Sequence, residues 1–342
     1  MTDHPLSKPT DHVAINKGKV GLLLVNLGTP DGTDYWALRR YLSEFLSDPR
    51  VIEVPQIIWQ PILQGPILTF RPGKSAEAYK KIWMPEGSPL LVYTRRQAEA
   101  LAERIGHEDL IVEYAMNYGN PSIDTKLKAL KSQGCDRICV AALYPQYSAT
   151  TTASVYDRVF ASLRKLRWQP AVRTVPAFFD TETYVTALSN SIQRHIDSLD
   201  FQPDRVLMSY HGIPQAYFDK GDPYHCQCHK TTRLVSEGLG WEPGFALTTF
   251  QSRFGPTKWL QPYTDKTLEA LPGQGVKKLV VVSPAFVSDC LETLEELAIV
   301  GKDQFMAAGG EAFSAAPCLN DSAQAIDLLE DVARRELSGW SY

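Results

Sequence analysis

The chain reads as an α/β protein of two similar Rossmann-like domains, each a parallel sheet of about four strands flanked by helices, with a cleft between them. Three observations predict this. Short apolar runs alternate with amphipathic helical stretches along the whole length, the pattern of βαβ units. The runs are apolar almost without a break, as strands covered on both faces must be. The loops after corresponding strands also echo each other. Val25-Asn-Leu-Gly-Thr-Pro30 matches Ser209-Tyr-His-Gly-Ile-Pro214, and Val140-Ala-Ala-Leu-Tyr-Pro-Gln-Tyr147 matches Val280-Val-Val-Ser-Pro-Ala-Phe286.

Residues 1–18 are polar, carry Pro5 and Pro9, and lack the apolar centre of a signal peptide, so a disordered lead is expected there. Strands are expected at Val20 to Val25, Leu110 to Met116, Arg137 to Leu143 and Val172 to Val175, within a first domain drawn over 19–178. Four more are expected at Arg205 to Ser209, Phe245 to Thr249, Lys278 to Ser283 and Glu311 to Ala315, within a second domain over 179–320. The stretch 321–342 reads as a C-terminal helix able to pack back on the first domain. Ser88-Pro89 and Asn120-Pro121 each supply a cap followed by proline at the first helical position. Gly106 and Gly134 are placed to end those helices. Between its first and third strands the first half is longer than the second by roughly 40 residues; an insertion at about 50–90 would form a lid or lip at the mouth of the cleft. It holds the longest apolar patch, Ile57 to Phe70, broken by Pro61, Gly65 and Pro66; Leu63 and Leu68 are taken as side chains that meet the ligand.

A chain of 342 residues can form two domains of ordinary size. Hydrophobic residues at 44% and charged residues at 22% are the balance of a globular protein with a full core. A net charge of −4 with no long basic run argues against a nucleic-acid partner. No stretch reaches the ~18 apolar residues of a membrane span. With no signal peptide, the six cysteines read as reduced thiols of a cytoplasmic protein, Cys135 and Cys139 as buried small residues. No G-x-G-x-x-G follows a strand, no G-x-x-x-x-G-K-[ST] occurs, and no G-x-S-x-G elbow is present, which argues against dinucleotides, nucleoside triphosphates and α/β-hydrolase chemistry.

In open parallel sheets ligands bind beyond the carboxyl ends of the strands. His211 falls just past one such end and Asp289 and Glu292 just past another, with loops 26–31 and 144–148 facing them from the first half. Read as an α-helix at about 100° per residue, Asp289, Glu292 and Glu296 share one face. An acidic stripe is ordinarily a solvated surface. At a strand end it becomes a candidate to carry a divalent cation or conduct protons. A lone histidine after a strand is ordinarily structural, yet His211 sits on a Gly/Pro loop opposite the carboxylates, where imidazole is a usable base. His225-Cys-Gln-Cys-His229 is tighter than zinc-site spacing and reads as a polar loop with incidental thiols. Tyr118, Tyr144, Tyr147, Trp259 and Phe286 fall in or near the same loops, either as core or as the wall of a pocket for a large flat ligand.

Several separate segments, in order and spacing, carry a family resemblance. They are Val25 to Asp31, Gly87-Ser-Pro-Leu90, Tyr144-Pro-Gln-Tyr-Ser148 with Thr150 to Thr152, His211-Gly-Ile-Pro214, Gly221-Asp-Pro-Tyr224, Trp259-Leu-Gln-Pro262 and Phe286-Val-Ser-Asp-Cys-Leu-Glu-Thr-Leu294. On these the sequence resembles the ferrochelatase family over residues 19 to 337. The resemblance implies a chelatase-type fold with porphyrin in the cleft, and insertion of Fe²⁺ into protoporphyrin IX with release of two protons, the last step of haem biosynthesis. It implies His211 and Glu292 as the paired metal and proton-transfer residues, and Asp289 and Glu296 as an acidic track behind them. Leu27, Tyr79, Tyr118 and Phe286 match cleft-lining positions, and Arg71 matches a lip position that can meet a propionate. The lip resembles an element that guides the macrocycle, at times near a membrane. The expected location is therefore cytoplasmic, with transient peripheral contact at a membrane.

Some members of that family hold a [2Fe–2S] cluster on four cysteines. Here Ala149 stands where animal members place one of them, and only Cys318 lies near the C-terminus. Certain bacterial members use an internal set, of which this chain has only Cys226 and Cys228. No cluster and no obligatory cofactor are expected; iron is substrate. Two rival readings remain. One is a chelatase of coproporphyrin III, a substrate with two more propionates. The other is a non-catalytic porphyrin or haem carrier, which needs cleft aromatics but no acidic row. Either His211 or Glu292 can be the proton acceptor, the other handing in the iron.

Overall fold

The computed structural model describes residues 18–340, so the expected disordered lead lies, but for Gly18, outside the described residues. Strands β1 (Lys19–Thr29), β2 (Leu110–Gly119), β3 (Cys135–Ala142) and β4 (Ala171–Thr174) form one sheet in the order β2-β1-β3-β4. Strands β5 (Arg205–His211), β6 (Ala246–Gln251), β7 (Lys278–Val282) and β8 (Ala312–Ala315) form the other in the order β6-β5-β7-β8. Every pairing within these sheets is parallel, and both sheets have the same order, which is the echo seen between the loops. The first strand of each half lies second in its sheet and is buried on both faces: Leu22, Leu23 and Leu24 in β1, and Val206, Leu207 and Met208 in β5, are at most 1% exposed. Each large aliphatic side chain so buried contributes about 1.5–3 kcal/mol.

Two strands run past their apolar stretches. β1 stays paired to Thr29, opposite Gly119. That close approach needs glycine at position 28, where φ is +117° and a Cβ would stand 1.9 Å from the Tyr118 carbonyl oxygen. β5 continues to His211, paired with Gln251 of β6. His211 is thus the last residue of a strand rather than part of the following loop.

The helix Pro89–Ile105 starts behind Ser88 and stops at a left-handed Gly106, as the sequence suggests. Asn120 is not a cap, because the next helix begins at Ile123 behind Ser122, whose hydroxyl accepts from the Thr125 amide. The Asn120 amide donates instead to Asp31. The helix Ala323–Leu337 packs against helices Pro89–Ile105 and Glu182–Asp197 and on β3, with Arg104 paired to Asp327 at 2.6 Å. It closes the back of both halves.

The insertion is helical almost throughout: Gln56–Ile62, a wide π turn over Leu63–Ile67, then Leu68–Ile82. Proline inside a helix removes a donor and crowds the preceding turn, and the widened turn at Pro66 absorbs that conflict. Leu63 and Leu68 do not face a ligand. Both are fully buried against Tyr41, Leu42, Leu46 and Trp59. The exposed apolar side chains of the lip are Val54, Ile57, Ile58, Ile62 and Phe70, with Ile57 at 87% and Phe70 at 78% exposure. Among the described residues no helix is long and apolar enough to cross a membrane.

Candidate active site

A cavity of about 130 Å³ opens between the two sheets at the carboxyl ends of the strands. The first half lines it with Leu27 and Gly28 from the end of β1 and with Tyr144 after β3. Tyr41 and Phe45 reach in from helix Tyr35–Leu46 beside the lip, and Tyr79 from the lip helix Leu68–Ile82 itself. The second half contributes His211, Trp259, and, after β7, Ala285 to Ser288 and Cys290 to Glu292; Asp289 is not on the wall. A larger cavity, about 830 Å³, lies on the outer edge of the second sheet along β6 and contains none of these groups.

His211 Nδ1 lies 2.6 Å from its neighbour's carbonyl oxygen, that of Gly212. A carbonyl only accepts, so Nδ1 carries the proton in this contact and Nε2 of the neutral ring keeps a free lone pair. That nitrogen can take a proton or hold a divalent metal.

Glu292 begins a wide π helix, Glu292–Gly301, rather than an α-helix. Helices of this kind recur at functional sites. Asp289 lies outside that helix, so the expected single face of three carboxylates does not form. The Asp289 carboxylate is buried and accepts from Thr293 Oγ1, Asn320 Nδ2 and the Cys318 amide. It ties the loop after β7 to the loop after β8. Glu296 does follow Glu292 along the helix. Burial, then the Glu292 charge, raises its pKa to about 7, against donors from Ser252 and Gln251. A carboxyl poised there gives and takes protons at neutral pH. Glu296 also borders a small cavity shared with Asp265 and Glu295 on the far side of the helix. The Cys290 thiol sits beside Glu292, and burial keeps it protonated.

The lip helix buttresses this wide helix. Tyr79 and Ile82 pack with Leu291 and Leu294, and Lys81 pairs with Glu295 at 2.8 Å. Arg71, on the same lip helix, stacks on Phe254 at 4.6 Å. One of its terminal nitrogens is buried with no hydrogen-bond partner among the described residues, and burial lowers its pKa against the pull of Glu296. An anionic group is what such a nitrogen lacks.

Leu27, Tyr79 and Phe286 lie on the cavity wall and Tyr118 does not. It is fully buried behind Phe45, its hydroxyl on Asp48 at 2.8 Å and near Ser154 at 3.0 Å. The 225–229 segment is helical, not a loop. Cys226 is exposed and Cys228 buried, so the two thiols diverge. Among the described residues no group of three or more His, Cys, Asp or Glu side chains is arranged to hold a metal. Sequence reasoning missed Tyr41, Phe45, Cys290, Gln251 and Ser252. The signal for Tyr41 and Phe45 was the apolar spacing of helix Tyr35–Leu46, whose buried face meets the lip.

Matched parallel sheets closing on a cavity lined by an imidazole and by a helix of carboxylates give the fold class seen in chelatases. The fold is similar to SirB from Bacillus subtilis, solved with Fe³⁺, at 12% identity and a TM-score of 0.56 over 94% of this chain and 96% of that one. It is also similar to CbiX, the terminal enzyme for biosynthesis of siroheme in denitrifying bacteria, at 13% identity and a TM-score of 0.51 over 93% of this chain and all of that one. At such identities the likeness concerns the fold alone. The family model Ferrochelatase matches residues 19–337. Curated relatives named ferrochelatase, from Allorhizobium ampelinum and a Chelativorans species, are each 56% identical over 97% of this chain and 97% and 95% of their own lengths. The chain belongs to the ferrochelatase family, enzymes that insert iron into a porphyrin in haem synthesis. A non-catalytic carrier is thereby set aside.

Proposed function

We propose that the porphyrin is protoporphyrin IX, and that His211 and Glu292 perform the metal and proton steps that yield protohaem and two protons. The observation that carries this reading is the free Nε2 of His211 and the Glu292 carboxylate lining one cavity from the ends of neighbouring strands. A free porphyrin is flat, and its two inner N–H groups block the metal. The walls must hold it bent so that nitrogen lone pairs leave the ring plane, with strain drawn from contacts along the apolar wall. The cavity of about 130 Å³ is smaller than the ~300–1,000 Å³ of a pocket for such a ligand, so the lip must part to admit the ring.

His211 then accepts pyrrole protons on one face, or holds the iron while Glu292 accepts them. Glu296, with its pKa near neutrality, passes protons away from Glu292 toward the small cavity beyond the helix. Arg71 meets a propionate, and Asp289 supports the track by fixing the loop that precedes it. The walls belong to the two domains 19–178 and 179–320, with 321–342 behind them. No cluster or resident cofactor takes part. The enzyme works in the cytoplasm, with the exposed Ile57, Ile58 and Phe70 touching a membrane transiently to receive its apolar substrate.

The test is the loss of free-porphyrin fluorescence on adding Fe²⁺ or Zn²⁺ under reducing conditions, with protoporphyrin IX and coproporphyrin III in parallel. A higher kcat/KM for protoporphyrin is expected. The opposite order would make the enzyme a coproporphyrin chelatase with the same site.

A further inference from the structure

The two reacting groups stand at the ends of β5 and after β7, and those strands part before reaching them. The β5–β7 ladder ends at Met208 and Val282. From Ser209 to His211, β5 is paired only with β6. Something other than sheet pairing must hold the histidine at a fixed distance from the wide helix.

We propose that Gln251 is a positioning residue for chelation, a buried amide that locks the end of the histidine strand to the helix of carboxylates. Gln251 is the last residue of β6 and the register partner of His211. Its own carbonyl accepts from the Gly212 amide at 2.8 Å, which fixes the loop that in turn orients the imidazole. Its side chain is 5% exposed and reaches the other way. The amide oxygen accepts from Ser209 Oγ at 2.7 Å. The amide nitrogen donates to the Glu292 carbonyl at 2.9 Å, and the side chain lies close enough to Glu296 to hold its carboxyl pKa down. Oxygen and nitrogen each have a partner, a hydroxyl donor at one end and a carbonyl acceptor at the other, and the carbonyl fixes which end of the amide is which. Ser252 follows in a left-handed turn at φ 64° and turns its hydroxyl onto Glu296. The end of β6 therefore clasps the histidine loop with its backbone and both glutamates with side chains. It rests on the reading of His211 and Glu292 as the reacting pair.

The inference is tested with Gln251→Glu and Gln251→Met. The first keeps shape and the acceptor for Ser209 but turns the donor end into an oxygen facing the Glu292 carbonyl. The second keeps length and removes every hydrogen bond. Turnover is normalised to the number of sites that bind porphyrin, titrated by fluorescence. Misplacing a reacting group by about 1 Å can cost about 100-fold, so kcat per site should fall roughly 10- to 100-fold. Porphyrin affinity should stay within about twofold, because the apolar walls are untouched. A residue that only stabilised the fold would reduce the number of binding sites and leave kcat per site intact. That result, or kcat per site within about threefold of wild type in both variants, overturns the inference. Should neither variant fold, Ser209→Ala frees the amide without adding charge, and the same two readings decide. His211→Ala is run alongside. If it is inactive while the Gln251 variants turn over normally, only the positioning role falls. If it stays active, the reading of the site itself is wrong.

Discussion

Glu296 lies one turn beyond Glu292 on a helix too wide to be α, and the two carboxylates share a largely buried site. Burial and the Glu292 charge lift Glu296 from its ordinary 4.5 to about 7. Between those values the native state binds a proton that the unfolded chain releases. Stability from neutral Glu296 is full below the unfolded value and is lost as pH rises through about 7. Glu296→Gln should therefore match wild-type stability near pH 4.5 and exceed it at pH 8 by up to about 3 kcal/mol, while slowing chelation. Denaturant titrations at both pH values check this; an equal difference at both would place Glu296 in contact with solvent.

The lip divides into a packed inner face and a bare outer one. Leu63→Ala should cost about 2–5 kcal/mol, since the side chain is fully buried in a cluster with Trp59 and Tyr41. Ile57→Asp and Phe70→Asp should leave the melting temperature nearly unchanged. They should weaken binding to lipid vesicles and raise the apparent KM for porphyrin. Loss of stability in the outer variants would mean that the outer face is covered in the folded protein.

Tyr118 tests the same division at a residue that resemblance places on the cavity wall. Its hydroxyl is shared by Asp48 and Ser154 behind Phe45. Tyr118→Phe removes one of the donors to the buried Asp48 carboxylate, which keeps the Ser154 hydroxyl and the Arg50 amide, and should cost about 1 kcal/mol with little change in porphyrin KM. A tenfold rise in that KM at unchanged stability would return Tyr118 to the wall.

What the sequence made legible followed from two simple physical rules. Continuous apolar runs located all eight strands of the two sheets to within a few residues, and ligands beyond strand ends directed attention to His211 and Glu292. The failures have equally definite causes. Asp289 was put on a helix face by assuming 3.6 residues per turn, and nothing in Asp289 to Glu296 announces a π helix that starts three residues later. Leu63, Leu68 and Tyr118 show that apolar or aromatic character marks a residue as buried without saying which side of a wall it faces. Gln251 was invisible because a neutral amide in a strand carries no pattern; its meaning lies in partners 42 and 41 residues away. The segment of Cys226 and Cys228 was expected as a polar loop with incidental thiols; it is helical, with one thiol outward and one in the core.

That divergence makes a further prediction. Cys226→Ser should be neutral. Cys228→Ser puts a hydroxyl in place of a fully buried thiol and should cost stability without altering chelation per folded molecule. The purified protein should show no iron–sulfur absorption. Stoichiometric acid-labile sulfide would overturn the expectation that no cluster forms.

The last prediction concerns His211 and Glu292, the pair proposed to react. His211→Ala removes the free Nε2 that its bond to the Gly212 carbonyl leaves available. Porphyrin should still bind, because the apolar wall of Leu27, Tyr41, Phe45 and Tyr79 is left intact, while turnover should fall roughly 10²–10⁴-fold, the usual cost of one general base. Glu292→Gln keeps the shape and the backbone carbonyl held by Gln251, so it should fold normally and lose activity on a similar scale. The double variant should be little worse than either single one, since both groups act on one step. Asp289→Asn should behave differently. Its carboxylate accepts from Thr293, Asn320 and the Cys318 amide, so its loss should appear first as lower stability and only secondarily in rate. Single-turnover rates with porphyrin already bound, compared with melting temperatures for the same set, separate these outcomes. His211→Ala retaining more than about a tenth of the wild-type rate across pH 6–8 would leave the work to Glu292 and Glu296 alone. Asp289→Asn losing rate as severely as Glu292→Gln at unchanged melting temperature would put Asp289 back among the groups that carry protons or iron.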